Sequence, residues 1–162
     1  MNSSDSNQRE LRNIFSRFPT GVTVITTLDA EKNPIGLTVS SFASVSLDPP
    51  LILWCLARDS NMFAEFEACT HFAVNILAED QTELSQRFAM PSDDRFEGIA
   101  LENGEGGVPL LSGCAARLQC RNAAQHDGGD HVIFVGEITG FDQTEKPSLA
   151  FSRGKYVAIS EL

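Results

Sequence analysis

The distribution of apolar and polar positions along the chain predicts a protein made mostly of β-strands. Runs of β-branched and large apolar residues alternate with residues that favour turns, which is typical of strands joined by short connections. The predicted strands are GVTVITTL (21–28), IGLTVSSFASVSL (35–47), LILWCLA (51–57), HFAVNIL (71–77), AARLQCRNAAQ (115–125), HVIFVGEITGFD (131–142) and KYVAI (155–159).

Two details of these runs lead to further predictions. The segment 29–34, DAEKNP, has the composition of a turn, so the strand over 35–47 is expected to return beside 21–28 as its hairpin partner. The runs LILWCLA (51–57) and VIFV (132–135) are apolar throughout. Continuous apolar runs predict strands that are buried on both faces.

The first predicted helix lies near the start of the chain. Its apolar residues follow the i, i+3, i+4, i+7 spacing of one helix face and are Leu11, Ile14, Phe15 and Phe18. Pro19 is expected to end it. The polar stretch MNSSDSNQ (1–8) predicts a frayed leader, so we divide the chain into a flexible polar N-terminus, residues 1–10, and a single domain, residues 11–162.

Two more helices are predicted between strands. One covers residues 61–68, with Ser60 or Asn61 as its cap, and the other covers residues 79–88, with Asp80 as its cap. Residues 89–113 are rich in Gly, Pro, Asp and Glu, and they predict an irregular excursion with one helical turn near Arg95 and Phe96.

The order of these elements predicts a mainly β (α+β) fold. Six or seven strands joined mostly by short turns, with helices inserted between strands, indicate a β-barrel with peripheral helices. A doubly wound α/β sheet is the weaker alternative because its nucleotide-binding signatures are missing. The segment GEGGVP (104–109) has Pro109 where GxGxxG needs its third glycine, and it follows no predicted strand.

Composition and charge narrow the classes of partner. The chain has 162 residues, enough for one domain, and a net charge of −10, which argues against nucleic acid or an anionic membrane as partner. No apolar run is long enough to span a bilayer. Four cysteines without CxxC spacing predict reduced thiols in a cytoplasmic protein; they are Cys55, Cys69, Cys114 and Cys120.

Two segments contain candidate binding groups. TVSSFASVS (38–46) carries hydroxyl residues on both faces of a predicted strand, which fits either an edge strand in water or a wall that contacts a polar ligand. In CLARDSN (55–61), Arg58, Ser60 and the N–H groups of the following helix could form an anion pocket. The alternative there is a capped helix beside a solvated arginine.

The segment GGDHVIFVGEI (128–138) places a titratable ring at the start of an apolar strand. His131 follows two glycines and Asp130. The neighbouring sequence HDGGDH (126–131) matches no common metal-binding spacing, so we expect no metal site. A serine hydrolase is also disfavoured because the chain has no GxSxG segment.

Taken together, these segments resemble the flavin reductase-like family, the small NAD(P)H:flavin oxidoreductases that use FMN or FAD and serve two-component monooxygenases. The matching segments follow the family's order from about residue 11 to 159; they are FPTGVTVITT, GLTVSSFASVSLDPPLILWCLARDSN, HFAVNILAEDQTELSQRF, DRFEG, GVPLLSGCAARLQC, GGDHVIFVGEI and RGKYVAI. The resemblance implies a split β-barrel, FMN-binding fold that forms a homodimer, with the flavin near the subunit interface.

The resemblance also implies which residues contact the flavin. Those expected along the ring, the ribityl chain and the phosphate are Thr38, Val39, Ser40, Ser41, Cys55, Leu56, Ala57, Arg58, Ser60 and Asn61. Those expected to complete the wall and edge of the pocket are Asn75, Ile76, Leu77 and Phe88. Those expected on the nicotinamide side are Phe18, Pro19, Thr20, Gly129, Asp130, His131 and Tyr156.

The activity implied by the resemblance is hydride transfer from C4 of NADH, or of NADPH, to N5 of FMN or FAD. His131 is expected to position the hydride donor, and the reduced flavin is expected to diffuse to a partner monooxygenase. Two alternatives remain open: a flavin-binding protein without turnover, and a reductase that passes electrons from bound flavin to a ferric chelate or a corrinoid.

Overall fold

The computed structural model describes residues 3–162, and its elements are mostly β-strands. In chain order they are α1 (Ser3–Phe15), β1 (Thr20–Gly21), β2 (Thr23–Leu28), β3 (Pro34–Val39), β4 (Ala43–Leu47), β5 (Pro50–Ala57), α2 (Phe63–Ala68), β6 (His71–Ile76), α3 (Thr82–Ala89), β7 (Leu101–Asn103), a 3₁₀ turn (Glu105–Gly107), β8 (Pro109–Leu111), β9 (Ala116–Gly128), β10 (His131–Gln143), β11 (Ala150–Ser152) and β12 (Lys155–Val157).

The main sheet has seven antiparallel strands in the order β3-β2-β6-β9-β10-β5-β4. The single strand predicted over 35–47 is therefore wrong, because the chain breaks at residues 40–42 and continues as β4 on the opposite edge of the sheet. Three linking residues let Val39 and Ala43 lie at most about 14 Å apart. Seven strands laid flat would span about 29 Å. The sheet must curl until its two edges face each other, which makes a barrel that is open along one seam.

The interior of the barrel is filled by a cluster of aromatic rings around Trp54. Its indole stacks on Phe134 with ring centroids 4.7 Å apart and meets Phe66 and Phe72 edge-on at 5.1 and 5.7 Å. These rings come from β5, β10, α2 and β6, and all four are fully buried. The cluster thus ties both halves of the sheet and one helix to a single core.

The strands predicted to be buried on both faces are buried on one face only. In β5 and β10, buried residues such as Trp54 and Phe134 alternate with half-buried ones. The half-buried side chains form a continuous apolar area on the outside of the barrel, which we call the β5–β10 outer face; its members are Leu51, Leu53, Ile133 and Val135.

The first helix begins earlier than the sequence predicts. α1 runs from Ser3 to Phe15, so most of the predicted frayed leader is helical, while residues 1 and 2 lie outside the described part of the chain. Asp5 lies in the first turn and Arg12 in the last, which is the charge order that stabilises a helix dipole. The described side chains of α1 are exposed, including the apolar residues that were expected to pack.

The other two helices lie within two or three residues of the predicted bounds, but both predicted caps are wrong. Met62, not Ser60 or Asn61, occupies the N-cap position of α2, and Ser60 Oγ accepts a hydrogen bond from Met62 N at 3.3 Å just before the helix. Asp80 does not cap α3, because its carboxylate pairs with Lys146 Nζ at 2.8 Å. Gln81 occupies the cap position instead and accepts a hydrogen bond from Ala78 N through Oε1 at 2.9 Å.

Residues 89–113 contain more order than their composition predicts. β7 and β8 form a short hairpin, and Pro109, Leu110 and Leu111 of β8 are buried. Arg95 is also buried, and backbone carbonyls satisfy its guanidinium: Nη1 donates to Gly36 O at 2.8 Å and Nε to Met90 O at 2.9 Å. Within residues 3–162, no helix combines the length and the apolar composition that a membrane-spanning helix requires.

Candidate functional site

A cavity of about 580 Å³ opens at the seam of the barrel, between β3 and the end of β5. Volumes of this size are typical of small-molecule sites. We call it the β3–β5 slot; its lining residues are Leu37, Thr38, Val39, Ser40, Ser41, Cys55, Leu56, Ala57, Ser60, Gly128, His131 and Ile133. None of these residues is acidic, although the chain as a whole carries a net charge of −10.

The slot exists because β4 is shorter than β5. β4 pairs with β5 only from Leu47 opposite Pro50 to Ala43 opposite Leu53, so Cys55 lies beyond the end of β4. Ser41 takes the place of the missing strand there. Its Oγ accepts a hydrogen bond from Cys55 N at 2.9 Å and donates one to Cys55 O at 3.2 Å. The mouth of the slot is thereby fixed by one hydroxyl group.

The hydroxyl groups of the predicted ligand wall have partners within the protein. Thr38 Oγ1 donates to Ser85 O at 2.7 Å, which joins β3 to α3, and Ser41 bonds to β5. A hydroxyl that donates one hydrogen bond keeps acceptor capacity for a ligand. Thr38 and Ser41 therefore fix the wall, and Ser40 between them is exposed to solvent.

His131 lies at the rim of the slot with a carboxylate beside its ring. Its Nδ1 is 2.8 Å from Asp130 Oδ1, and this hydrogen bond holds the pKa of the Asp130 carboxyl below its usual value. The side chain of His131 is 44% exposed, so the ring can meet a ligand that enters from solvent. The Asp130 carboxylate favours the tautomer with the proton on Nδ1 and restricts rotation of the ring.

Arg58, the predicted phosphate ligand, is not among the residues that line the slot. Its Nη2 is ion-paired with Asp127 Oδ1, and its Nε donates to Gly129 O at 3.1 Å. The Arg58 backbone N–H donates to Asp130 O at 2.9 Å. Arg58 therefore packs against the turn between β9 and β10. That turn requires a glycine at position 129, where φ is +75°.

Besides Arg58 and Asn61, four of the predicted flavin residues lie outside the slot. Asn75 is fully buried, and its Nδ2 donates to Val24 O at 3.0 Å and to Thr26 Oγ1 at 3.1 Å. Its Oδ1 accepts from Leu111 N at 2.8 Å. The other three also lie outside the lining; they are Ile76, Leu77 and Phe88.

Each of these four residues has a structural role that explains its position, and Ile76 packs against the barrel core around Trp54. The amide of Asn75 satisfies backbone groups of β2 and β8 inside the core. Leu77 and Phe88 belong to a second buried cluster, in which Phe88 meets Phe96 edge-on at 4.9 Å. Asn61, predicted at the phosphate, is exposed and also lies outside the lining.

A smaller cavity of about 160 Å³ shares the residues Thr38, Val39 and Ser40 with the slot. Its other side contains Tyr156, whose hydroxyl donates to Ser85 Oγ at 2.8 Å, and Phe151, whose ring meets Tyr156 edge-on at 5.3 Å. Tyr156, predicted on the nicotinamide side, is therefore separated from the main slot by the β3 wall.

The remaining residues predicted for the nicotinamide side lie in the segment that leads into β1. Phe18 is 77% exposed and Pro19 is also exposed. Thr20 pairs with Phe151. Neither cavity is lined by any of these three residues.

Sequence analysis did not identify three residues of the slot: Leu37, Gly128 and Ile133. Ile133 lies on the outer face because its neighbours Val132 and Phe134 point into the core, but the uniformly apolar run 132–135 gives no sequence signal of this. Leu37 packs against the barrel core and lines the slot from that side. Gly128 closes the end of β9, where an added Cβ would lie 3.2 Å from Ile133 Cγ1.

A further cavity of about 410 Å³ lies around Cys69 and His71, away from the predicted residues. Its lining includes Asp29 and Glu65, and burial raises the pKa of the Cys69 thiol. Its lining also includes Lys32, and it contains none of the residues predicted to contact the flavin or the nicotinamide. The β3–β5 slot, which is lined by nine of those residues, is therefore the better candidate.

Comparisons with known proteins show which family the chain resembles. The FMN reductase (NADH) SmoA of Agrobacterium fabrum is 46% identical over 154 residues, which cover 95% of this chain and 87% of that protein. The reductase component of the flavin-dependent trigonelline monooxygenase of Acinetobacter baylyi is 44% identical over 148 residues, 91% of this chain. The match spans only 48% of that relative's length.

A solved structure extends the comparison to the fold. The NADH:FAD oxidoreductase SgcE6 of Streptomyces globisporus, in complex with NAD and FAD fragments, superposes with a TM-score of 0.90 at 37% identity. The match covers 96% of this chain and 94% of that one. The family model described as "Flavin reductase like domain" matches residues 15–160. The chain belongs to the flavin reductase-like family.

Proposed function

We propose that the chain is an NAD(P)H:flavin oxidoreductase that reduces FMN or FAD at the β3–β5 slot and supplies reduced flavin to a partner monooxygenase. The observation that carries the proposal is a slot at the barrel seam that is lined by nine of the predicted residues, with the His131–Asp130 pair at its rim. NADH is the proposed donor, since the A. fabrum relative is an NADH-dependent FMN reductase. When bound, the flavin supplies the ring whose N5 accepts hydride from C4 of the nicotinamide.

The lining of the slot fits a flavin. Its apolar side chains, such as Val39 and Ile133, suit a flat aromatic ring, and the hydroxyls of Thr38 and Ser40 suit a ribityl chain. β3 and β4 are the edge strands of the sheet, so backbone N–H and C=O groups along the seam are available to a ligand. Residues proposed to hold the flavin are Thr38, Val39, Ser40, Ser41, Cys55, Leu56 and Ala57.

The phosphate is proposed to bind at the end of the slot that is formed by Ser60 and the β9–β10 turn. Arg58 lies two residues before Ser60, and its Nε donates to Gly129 O in that turn, while Asn61 follows Ser60 directly. Arg58 is therefore the cation proposed to meet the anionic end of FMN.

His131 is proposed to orient the nicotinamide and to stabilise the negative charge that develops beside it. The hydrogen bond between Nδ1 and Asp130 Oδ1, 2.8 Å long, leaves Nε2 as the ring atom that is free to contact a ligand. Placing donor and acceptor at reacting distance is the main contribution a protein makes to hydride transfer. Phe18, Pro19, Thr20, Gly129 and Tyr156 remain proposals for this side.

The β5–β10 outer face is proposed to pack against a second copy of the chain. Leu53 and Val135 are paired across the two strands, and Leu47 on the adjoining β4 is 96% exposed. Because Ile133 belongs both to this face and to the slot, a homodimer formed here would place the flavin beside the subunit interface. We also propose a cytoplasmic location, which suits four cysteines that are free thiols in the structure.

The proposed function is tested by measuring the consumption of NADH and NADPH with and without added FMN or FAD. We expect oxidation that depends on flavin and is faster with NADH. A visible spectrum of the purified protein shows whether flavin is retained or behaves as a substrate. Flavin binding without oxidation of either coenzyme would overturn the reductase proposal in favour of a binding protein.

A further inference from the structure

The guanidinium at the phosphate end of the slot already has an anionic partner. Arg58 Nη2 is ion-paired with Asp127 Oδ1, and both side chains reach solvent, at 43% and 92% exposure. Asp127 lies on β9 immediately before Gly128, which lines the slot. Its register partner on β10 is Val132. The carboxylate of Asp127 therefore lies at the same end of the slot as Ser60 and Arg58.

The pair also determines where the arginine lies. Because Arg58 donates to Asp127 and to Gly129 O, its side chain is engaged with the β9–β10 turn, while Ala57 and Ser60 on either side of it line the slot. To contact a phosphate, the Arg58 guanidinium must give up at least its bond to Asp127 and form one to the phosphate instead. A carboxylate and a phosphate are then alternative partners for one cation.

We propose that Asp127 competes with the phosphate group of the flavin for Arg58, and that this competition sets how strongly the slot prefers phosphorylated flavins to riboflavin. The inference rests on the proposed function. An exposed ion pair is weak, so a phosphate that can accept two hydrogen bonds displaces the carboxylate. The exchange nevertheless removes part of the affinity that Arg58 would otherwise contribute. Riboflavin has no phosphate and requires no exchange.

The test compares FMN and riboflavin with the variant Asp127→Asn, by titration of flavin fluorescence at low ionic strength. We expect Asp127→Asn to raise the FMN affinity by about twofold to fivefold, as the loss of a weak exposed pair implies. Riboflavin affinity is expected to stay unchanged. Added salt is expected to reduce the gain for FMN, because it screens exposed charges.

The variant Asp59→Asn is the matched control. It removes the same charge from the residue next to Arg58, and within residues 5–162 no ion pair joins Asp59 to Arg58. We expect Asp59→Asn to change FMN affinity less than Asp127→Asn does. An equal gain in both variants would mean a general effect of charge and would overturn the inference.

Two further outcomes contradict the inference. One is an FMN affinity that Asp127→Asn leaves unchanged or weakens, and the other is an equal gain for riboflavin. The side chain of Asp127 is 92% exposed, so the variant is expected to melt at the same temperature as the unaltered protein. If the unaltered protein binds neither flavin, the proposed function fails, and the inference fails with it.

Discussion

The hydroxyl group of Ser41 makes two hydrogen bonds with the backbone of Cys55, accepting one from its N–H at 2.9 Å and donating one to its C=O at 3.2 Å. This contact links the chain between β3 and β4 to the end of β5, where no strand pairs with that edge. It fixes the separation of the two walls of the slot.

The variant Ser41→Ala tests this role. Loss of the Ser41 hydroxyl is expected to lower the free energy of unfolding by about 1 kcal/mol, the usual contribution of a hydrogen bond. Flavin affinity is expected to fall more than stability suggests, because the slot loses its fixed width. The measurements are thermal unfolding and FMN titration. Ser44→Ala on exposed β4 is the control, and equal losses in both variants would contradict the role of Ser41.

The variant His131→Ala is expected to raise the KM for NADH or to slow turnover while flavin binding survives. The His131 ring lies at the rim of the slot, where the nicotinamide is proposed to bind, and its partner Asp130 lies outside the lining. Removing the ring is therefore expected to affect the nicotinamide more than the flavin. Steady-state kinetics and FMN titration separate the two effects. His126→Ala removes an exposed imidazole from β9 and is expected to leave both unchanged. Loss of FMN binding in folded His131→Ala would place His131 against the flavin.

The cysteines are expected to differ in alkylation. Burial raises the pKa of the Cys120 thiol to about 12 and that of Cys114 to about 11, so at pH 8 almost no thiolate is present to react. Burial also raises the pKa of Cys55, but its side chain lines the slot and is reachable by solvent. Cys55 is therefore expected to react before Cys114 and Cys120.

Protection by ligand checks where Cys55 lies. Saturating FMN is expected to slow alkylation of Cys55, measured by mass spectrometry of the digested protein. Cys69 lines the separate cavity near His71 and provides the internal control, since FMN is expected to leave its rate unchanged. Equal protection of both thiols would indicate a global change in the protein rather than occupancy of the slot.

The variant Asn75→Ala is expected to destabilise the protein by about 3 kcal/mol. It removes the amide that bonds to Val24 O, Thr26 Oγ1 and Leu111 N, and it leaves these buried groups without their partner. FMN affinity of the folded protein is expected to stay unchanged, because Asn75 lies outside the slot. A variant that unfolds at the normal temperature but binds FMN weakly would indicate that Asn75 contacts the flavin.

The variant Leu53→Asp tests the proposed homodimer. A carboxylate in the centre of the β5–β10 outer face is expected to convert a dimer to a monomer, measured by light scattering after size-exclusion chromatography. Phe141→Asp is the control, since Phe141 is exposed near the far end of β10. A monomeric mass for the unaltered protein would overturn the proposed interface.

The strands and the core could be predicted from the sequence because their signal is local. The apolar run around Trp54 specifies a strand whatever it packs against, and the turn residues at 29–34 predict the β2–β3 hairpin. The outward position of Ile133 could not be predicted, because the run VIFV (132–135) is apolar throughout. The slot itself could be predicted only in part. It forms where the β4–β5 pairing ends, and the position of that end depends on the sequences of both strands.

Other features could not be predicted, for identifiable reasons. The break at residues 40–42 contains no Gly, Pro, Asn or Asp, so nothing in SSF differs from the strand residues around it. A polar amide such as that of Asn75 suggests a ligand contact, but it serves equally well to satisfy buried backbone. The pairing of Arg58 with Asp127 joins residues far apart in the chain, and no local pattern indicates it.

The short crossing at residues 40–42 acts as a spacer of fixed length between the two edges of the barrel. Surface connections usually tolerate added residues, because longer loops change the closing entropy only slightly. This crossing differs, since one added residue would turn Ser41 away from Cys55 and change the distance between β3 and β5. The number of residues in this segment therefore sets the width of the slot, independently of how the surrounding side chains pack.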